Sequence, residues 1–299
     1  MIRILTAKDA QSLIQRKEVR LEEAERIVAP ILADIRARGD AALLTYARKF
    51  DGFDGTSVRM DVSGSLEPAF ERAVAVAAKN IRQYAEVQLP TEWFTDFRDG
   101  RRLGQIVRPL DAMGAYVPAG RYPLPSTLLM TVVPAQVAGV PTICVACPHP
   151  SLEILGIAQW LGLPHLYRMG GAQAIAALAY GTETVPKVDR IVGPGNIYVA
   201  AAKKLIVGET GIDFVAGPTE IVIIAADGDP RWIAADLLAQ AEHDVDASAI
   251  LLTTSRALAE AVAKEVEVQL ATLPTAEVAR PSIENNGAIV LLDTVEQAV

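Results

Sequence analysis

The sequence predicts an α/β protein whose strands pair in parallel behind a helical N-terminal lead-in, and three observations predict it. From Gly104 onward, short apolar strands alternate with amphipathic helices, and strand–helix–strand alternation implies parallel pairing with right-handed crossovers. Before that, residues 1 to about 107 carry their apolar side chains mostly at helical spacing. Finally, 299 residues with 51% hydrophobic content amount to roughly two domains of about 150 residues each, with enough apolar material for sizeable cores.

The elements follow in order. Thr6-Ala-Lys-Asp9 reads as a helix opening. Over 21–38, Ala24, Ile27, Val28, Ile31, Leu32 and Ile35 fall on one helical face, and Gly39-Asp40 punctuates its end. Residues 41–50 start the next helix, and 66–88 form an alanine-rich one. In the alternating region, strands are expected at 114–117, 142–146, 165–169, 190–192 and 213–216. The helices between them are expected at 126–138, 151–161, 172–180 and 197–207. After Gly217 come a strand at 220–226, a helix at 230–242, a strand at 248–253, a helix at 256–270 and a strand at 287–292. The last seven residues read as the first turns of a helix with no Gly, Asn or Pro stop, which suggests a truncated chain.

Composition excludes several function classes. Twenty-eight Lys and Arg against 36 Asp and Glu give a net charge of −8, and no basic run exceeds Lys203-Lys204. Nucleic acid is therefore not an expected partner, because polyanion affinity needs clustered cations. No membrane association is expected either. Residues 122–152 contain no Asp, Glu, Lys or Arg, but prolines at 123, 125, 134, 141, 148 and 150 rule out a continuous spanning helix. The N-terminus has no apolar signal core. Cys144 and Cys147 share one expected strand, where a spacing of three points them to opposite faces as packed core thiols. With no second pair for a zinc ribbon and no disulfide framework, a reducing, cytoplasmic location fits.

Three glycine-rich turns follow expected strands: Met169-Gly-Gly-Ala-Gln173, Gly193-Pro-Gly-Asn196 and Ala216-Gly-Pro-Thr-Glu220. Ligands bind open α/β sheets at this strand edge, where helix N-termini present free N–H groups. None of the three is a complete dinucleotide or P-loop fingerprint. Gln173 and Asn196 each place an amide at a helix start, able to cap the helix or meet a ligand. A fourth motif is Leu237-Leu-Ala-Gln-Ala-Glu-His243. Gln240 and His243 are three apart, on one helical face, and an amide oxygen and an imidazole nitrogen both ligate zinc. A polar helix end with His243 near the C-terminal dipole explains the same spacing. Glu242 lies off that face and reads as solvated. His149 and His165 read as structural or exposed loop residues.

Taken together, the motifs resemble histidinol dehydrogenase. They are Arg38-Gly-Asp-Ala-Ala-Leu-Leu44, Lys49-Phe-Asp-Gly52, Tyr116-Val-Pro-Ala-Gly-Arg121 and Gly170-Gly-Ala-Gln-Ala-Ile-Ala-Ala-Leu178. Val188-Asp-Arg-Ile-Val-Gly-Pro-Gly-Asn196, Ala216-Gly-Pro-Thr-Glu220 and Ala239-Gln-Ala-Glu-His-Asp244 complete the ordered set. The resemblance implies two Rossmann-like domains with parallel sheets, one inserted in the other. Residues 1–114 would be the helical lead-in and the first part of the outer domain, 115–219 the inserted domain, and 220–299 the second part of the outer domain. It implies a homodimer, here weakened by truncation, that oxidises a small amino alcohol, L-histidinol, to L-histidine by way of L-histidinal, with two NAD used in succession.

Carried over by position, Tyr116, Gln173 and Asn196 match NAD contacts. Thr219 matches a substrate contact where the family commonly has Ser. Gln240 and His243 match two zinc ligands that also meet the substrate, the zinc serving to position it. No residue of this chain matches the family's catalytic Glu-His pair, which would fall beyond Val299 together with two further zinc ligands. The resemblance therefore implies that this chain alone is a poor enzyme and binds zinc weakly. Two other readings stay open: a dehydrogenase of the same superfamily acting on another small polar alcohol, and a non-catalytic NAD-binding fragment.

Overall fold

In the computed structural model, residues 2–118, 124–215 and 220–298 are described, with backbone alone for 11–20. The chain divides into two compact units. One comprises Glu23–Val215, and the other comprises Met1–Glu22 with Ala216–Val299.

The Glu23–Val215 unit begins with helices and ends as an α/β layer structure. Helix α1 (Gln11–Arg38), which the division cuts, is followed by α2 (Asp40–Phe50), strand β2 (Arg59–Asp61) and α3 (Pro68–Gln88); β1 belongs to the other unit. The carboxylate of Glu67 caps α3 by accepting from the N–H groups of Ala69 and Phe70, and Pro68 occupies the first turn, where its missing N–H costs nothing. An antiparallel hairpin, β3 (Trp93–Asp96) and β4 (Arg102–Gln105), is exposed along both strands. The alternating part then runs β5 (Ala112–Tyr116), α4 (Pro125–Val137), β6 (Thr142–Ala146), α5 (Leu152–Trp160), β7 (His165–Tyr167), α6 (Gly171–Tyr180), β8 (Arg190–Val192), α7 (Ile197–Ile206) and β9 (Gly211–Ile212).

The six strands are ordered β2-β7-β6-β5-β8-β9, all parallel except the antiparallel edge pair β2–β7. β5 is buried along its whole length, as a central strand covered on both faces must be. Its alternate residues divide between layers. Met113 and Ala115, with Val117 beyond, join the core built from α3, α4 and α5, while a Cβ at Gly114 would touch Leu178 of α6 at 3.0 Å. The two thiols divide likewise: Cys147 lies in the α4/α5 core, and Cys144 is buried against Tyr167.

The other unit holds a fully parallel four-stranded sheet ordered β1 (Arg3–Thr6), β12 (Ala288–Leu291), β11 (Ser248–Thr253), β10 (Glu220–Ile224). Helices α8 (Pro230–Ala241), α9 (Arg256–Leu270) and α10 (Ala276–Asn286) connect these strands, and Leu237, Leu238, Val262, Val266, Ile283 and Ile289 form its core.

The structure corrects several expectations. Thr6 ends a strand rather than opening a helix, and its carbonyl closes a turn onto Asp9 and Ala10 before α1 begins. Residues 23–114 group with the α/β unit of the glycine turns, and the boundaries between the two compact units fall at 22/23 and 215/216. Of the strand expected at 213–216, residues 213–215 are not strand and Ala216 lies outside the described residues; β9 is Gly211–Ile212, after which Asp213 turns its carboxylate back onto the β8 turn. The last residues form a single 3-10 turn, Val295–Ala298. Among the described residues, no helix is long and apolar enough to cross a membrane.

Candidate functional site

In the six-stranded sheet, β5 is the first of the alternating strands. Its successors β6 and β7 lie to one side and β8 and β9 to the other. The order of strand succession therefore reverses between the parallel neighbours β5 and β8, and a crevice outside their C-terminal ends is where open α/β sheets take ligands. Tyr116 ends β5, and the turn Gly193-Pro-Gly-Asn196 follows β8.

This turn is held from three directions. Gly193 sits at φ +117, and a Cβ there would lie 2.1 Å from the Tyr116 carbonyl oxygen, so only glycine lets the β8 turn close against the end of β5. Asp213 accepts from the Gly193 N–H at 2.9 Å. The ammonium of Lys203, reaching back from α7, donates to the Gly193 carbonyl at 2.6 Å and to Asp213 at 2.7 Å. The Lys203 side chain is 4% exposed, so its charge is out of water and paired. Asn196 caps α7, its Oδ1 accepting from the Tyr198 and Val199 N–H groups at 3.1 Å each, while the residue itself stays exposed at the rim.

Tyr116 and Gln173, far apart in sequence, meet at the start of α6. The Gly171 N–H donates to the Tyr116 hydroxyl at 3.0 Å. Asp51, just past the end of α2, accepts on one oxygen from the Gly170 N–H at 3.0 Å and from Gln173 Nε2 at 3.1 Å. Burial pushes the Tyr116 phenol up to about 12 and the Cys147 thiol up to about 11. Burial also raises the Asp51 carboxyl above its ordinary value, with the Gly170 and Gln173 hydrogen bonds opposing it.

The sequence thus singles out Tyr116, Gln173 and Asn196, and the structure sets all three at the C-terminal edge of one sheet. It adds three residues that sequence reasoning passed over: Asp51, Lys203 and Asp213. Asp51 lay within the Lys49-Phe-Asp-Gly52 motif, which was a usable signal. Lys203 and Asp213 carried none, since each is an ordinary charged residue until the fold buries the pair.

The remaining candidates belong to the other unit. Thr219, with Ala216-Gly-Pro of its motif, lies outside the described residues, as do Ala119, Gly120 and Arg121. Gln240 lies in the last turn of α8, where its Nε2 is buried with no hydrogen-bond partner among the described residues. His243 does not share that helical face as expected. The helix stops at Ala241, Glu242 is its C-cap, and His243 lies exposed in the following turn, its N–H donating to the Gln240 carbonyl at 3.3 Å. Glu242 is not merely solvated; it accepts from the Thr275 hydroxyl at 2.6 Å. His165 is half-buried, with Nε2 3.2 Å from the Tyr167 hydroxyl, and burial lowers its basicity. His149 is exposed.

The strand order and glycine turns define a Rossmann-like α/β protein with glycine-rich turns at one sheet edge. A family profile described as histidinol dehydrogenase matches residues 14–299. The chain is 47% identical to a histidinol dehydrogenase of Halalkalibacterium halodurans, with all of the chain and 73% of that protein covered. It is 50% identical to one of Geobacillus kaustophilus, covering 93% of the chain and 68% of that protein. The crystal structure of histidinol dehydrogenase from Elizabethkingia anophelis superposes with a TM-score of 0.79 at 35% identity, over 91% of this chain and 66% of that one. The chain belongs to the histidinol dehydrogenase family.

Proposed function

We propose that the Glu23–Val215 unit binds NAD at the β5/β8 crevice, and that the chain serves the oxidation of L-histidinol to L-histidine by way of L-histidinal. The observation that carries the cofactor reading is the reversal of strand order between Tyr116 and the Gly193–Asn196 turn, at an edge where Gln173 also lies. The residues present fit a dinucleotide in part. A glycine at positive φ brings two strand ends together, and helix N-termini lie along the rim. The end of β6 runs Ala146-Cys-Pro-His149 and supplies no carboxylate for a ribose, so the fingerprint is incomplete. Bound NAD supplies the hydride acceptor. The protein's part is to hold Tyr116, Gln173 and Asn196 in place and to keep water from the buried side of the crevice.

Zinc fits less well. Gln240 and His243 offer two donors, whereas a catalytic zinc takes three protein ligands plus water or substrate. Among the described residues, no three His, Cys, Asp or Glu side chains converge to hold a metal. The orphaned, buried Gln240 amide marks a place where a polar partner belongs, but no step of the reaction is assigned to a metal held by these residues alone. Thr219 remains a proposed substrate contact, as do Gln240 and His243. A cytoplasmic homodimer acting on a small amino alcohol is part of the same proposal.

Calorimetric titration with NAD tests it. Saturable binding that weakens in Asn196→Ala and Tyr116→Phe is expected. A folded sample with no heat of binding removes the cofactor reading.

A further inference from the structure

We propose that the buried Lys203–Asp213 pair is a positioning device for the cofactor turn: it fixes both polar groups of Gly193, and through them holds the turn that carries Asn196 in the conformation that receives the dinucleotide. The inference rests on the NAD reading above and adds to it two residues that act on the cofactor only through the turn.

Gly193 is buried and Asn196, three residues on, is exposed, so the turn runs from a packed base to an open rim. At the base, the Gly193 N–H donates to Asp213 Oδ2 at 2.9 Å, and the Gly193 carbonyl accepts from Lys203 Nζ at 2.6 Å. The two side chains meet each other at 2.7 Å, and Asp213 Oδ1 also accepts from the Phe214 N–H at 2.8 Å. The peptide groups on either side of Gly193 are therefore each tied to a charged group held out of water. Neither can rotate without stranding its partner. Pro194 follows, its φ set by the ring and with no N–H of its own, so the first half of the turn is confined to one conformation. The second half is held by the Asn196 cap on α7.

Stability alone does not call for this pair. Well-packed neutral side chains hold a fold as well as a buried ion pair does, because both charges lose their hydration on burial. Lys203 also reaches back toward the start of α7, the positive end of the helix dipole, where a cation is disfavoured. What neutral packing cannot supply is a donor to the Gly193 carbonyl. A turn already set before its ligand arrives loses no freedom on binding. A turn that holds the binding conformation only a tenth of the time binds about tenfold more weakly.

Calorimetric titrations of the full chain with NAD, paired with melting curves, separate positioning from stability. Lys203→Met should bind NAD about tenfold more weakly than the parent at a temperature where both are folded. Lys203→Met/Asp213→Asn strands no charge, and its asparagine oxygen can still accept from the Gly193 N–H, so it should regain melting temperature. It should nevertheless bind NAD as weakly as the single variant, because the Gly193 carbonyl still lacks its donor. Ile157→Val, a change in the core beneath α5, should lower the melting temperature and leave NAD affinity unchanged. Affinity that follows melting temperature across the three variants, the double variant recovering both, would mean that the pair serves stability alone and overturns the inference. Should Lys203→Met fail to fold, the double variant decides: a tenfold loss of affinity supports the assignment and parent-like affinity overturns it. A folded parent that binds no NAD removes the NAD reading and this assignment together. A parent that binds NAD, with no loss in either Lys203 variant, removes this assignment alone.

Discussion

Lys203→Met breaks the clamp behind the Gly193 turn, and its cost can be reasoned from the contacts. The ammonium makes two short hydrogen bonds, at 2.6 Å to the Gly193 carbonyl and 2.7 Å to Asp213. Its side chain is 4% exposed and that of Asp213 18%. Removing one member of a buried ion pair costs about 3–5 kcal/mol when the other charge is stranded. Asp213 is only partly stranded, because it keeps the Gly193 N–H at 2.9 Å and the Phe214 N–H at 2.8 Å and retains some water. The loss should therefore fall to about 2–3 kcal/mol, including the Gly193 carbonyl left without its donor. For a unit the size of Glu23–Val215, that lowers the melting temperature by about 5–10 °C. The double variant Lys203→Met/Asp213→Asn removes the stranded charge as well and should cost less than Lys203→Met alone. Scanning calorimetry reads both. A Lys203→Met melting point within about 1 °C of the parent, or a double variant worse than either single one, would refute the view that Lys203 matters by compensating a buried charge.

Other perturbations follow from the same geometry. Gly193→Ala places a methyl 2.1 Å from the Tyr116 carbonyl oxygen at a positive φ, so it should destabilise the unit by about 2 kcal/mol or more and abolish NAD binding, read by melting and calorimetry. Asn196→Ala should cost about 1 kcal/mol as a lost helix cap, whereas Asn196→Asp keeps the cap and so reports any ligand contact separately; equal NAD affinity in both would show that Asn196 serves the helix alone. The Asp51 carboxyl is raised above its ordinary value of 3.8 by burial. The folded state thus holds its proton more tightly than the unfolded state does, and the associated stability is present below that value and lost as pH rises through the folded-state pKa. Stability measured against pH should accordingly show Asp51→Asn gaining on the parent from pH ~4 upward, and a constant difference would contradict the burial argument. Light scattering should find a homodimer, and a monomer persisting at high concentration would count against that part of the proposal.

Much of the α/β layout was legible because it is written in local periodicity. Strands 142–146, 190–192 and 248–253 and the helices after them announce themselves by apolar runs and capping residues such as Ser151, Asn196 and Ser255. The N-terminal strand was not legible. Arg3–Thr6 is four residues long and is a strand only because β12, nearly the whole chain away, supplies its ladder. The β3–β4 hairpin escaped for a related reason. Its residues include Trp93, Phe94, Arg102 and Gln105 but no strict alternation, since neither face is buried to impose one.

The site divides along the same line, and the division says what kind of residue a sequence can reveal. Tyr116, Gln173 and Asn196 stand at strand ends and helix starts, positions that a local pattern marks. Asp51 reaches Gly170 and Gln173 across 119 and 122 residues. Its role arises only when the end of α2 is brought to the start of α6. Lys203 is subtler still, being ten residues from both of its partners. At that separation a lysine on a helix and an aspartate after a strand look like two solvated charges. Burial is what turns them into a clamp, and burial is a property of the whole α/β layer rather than of the segment. Candidate ligand contacts were therefore easier to find than the residues that hold them still, and the second group is where the structure adds most to the functional reading.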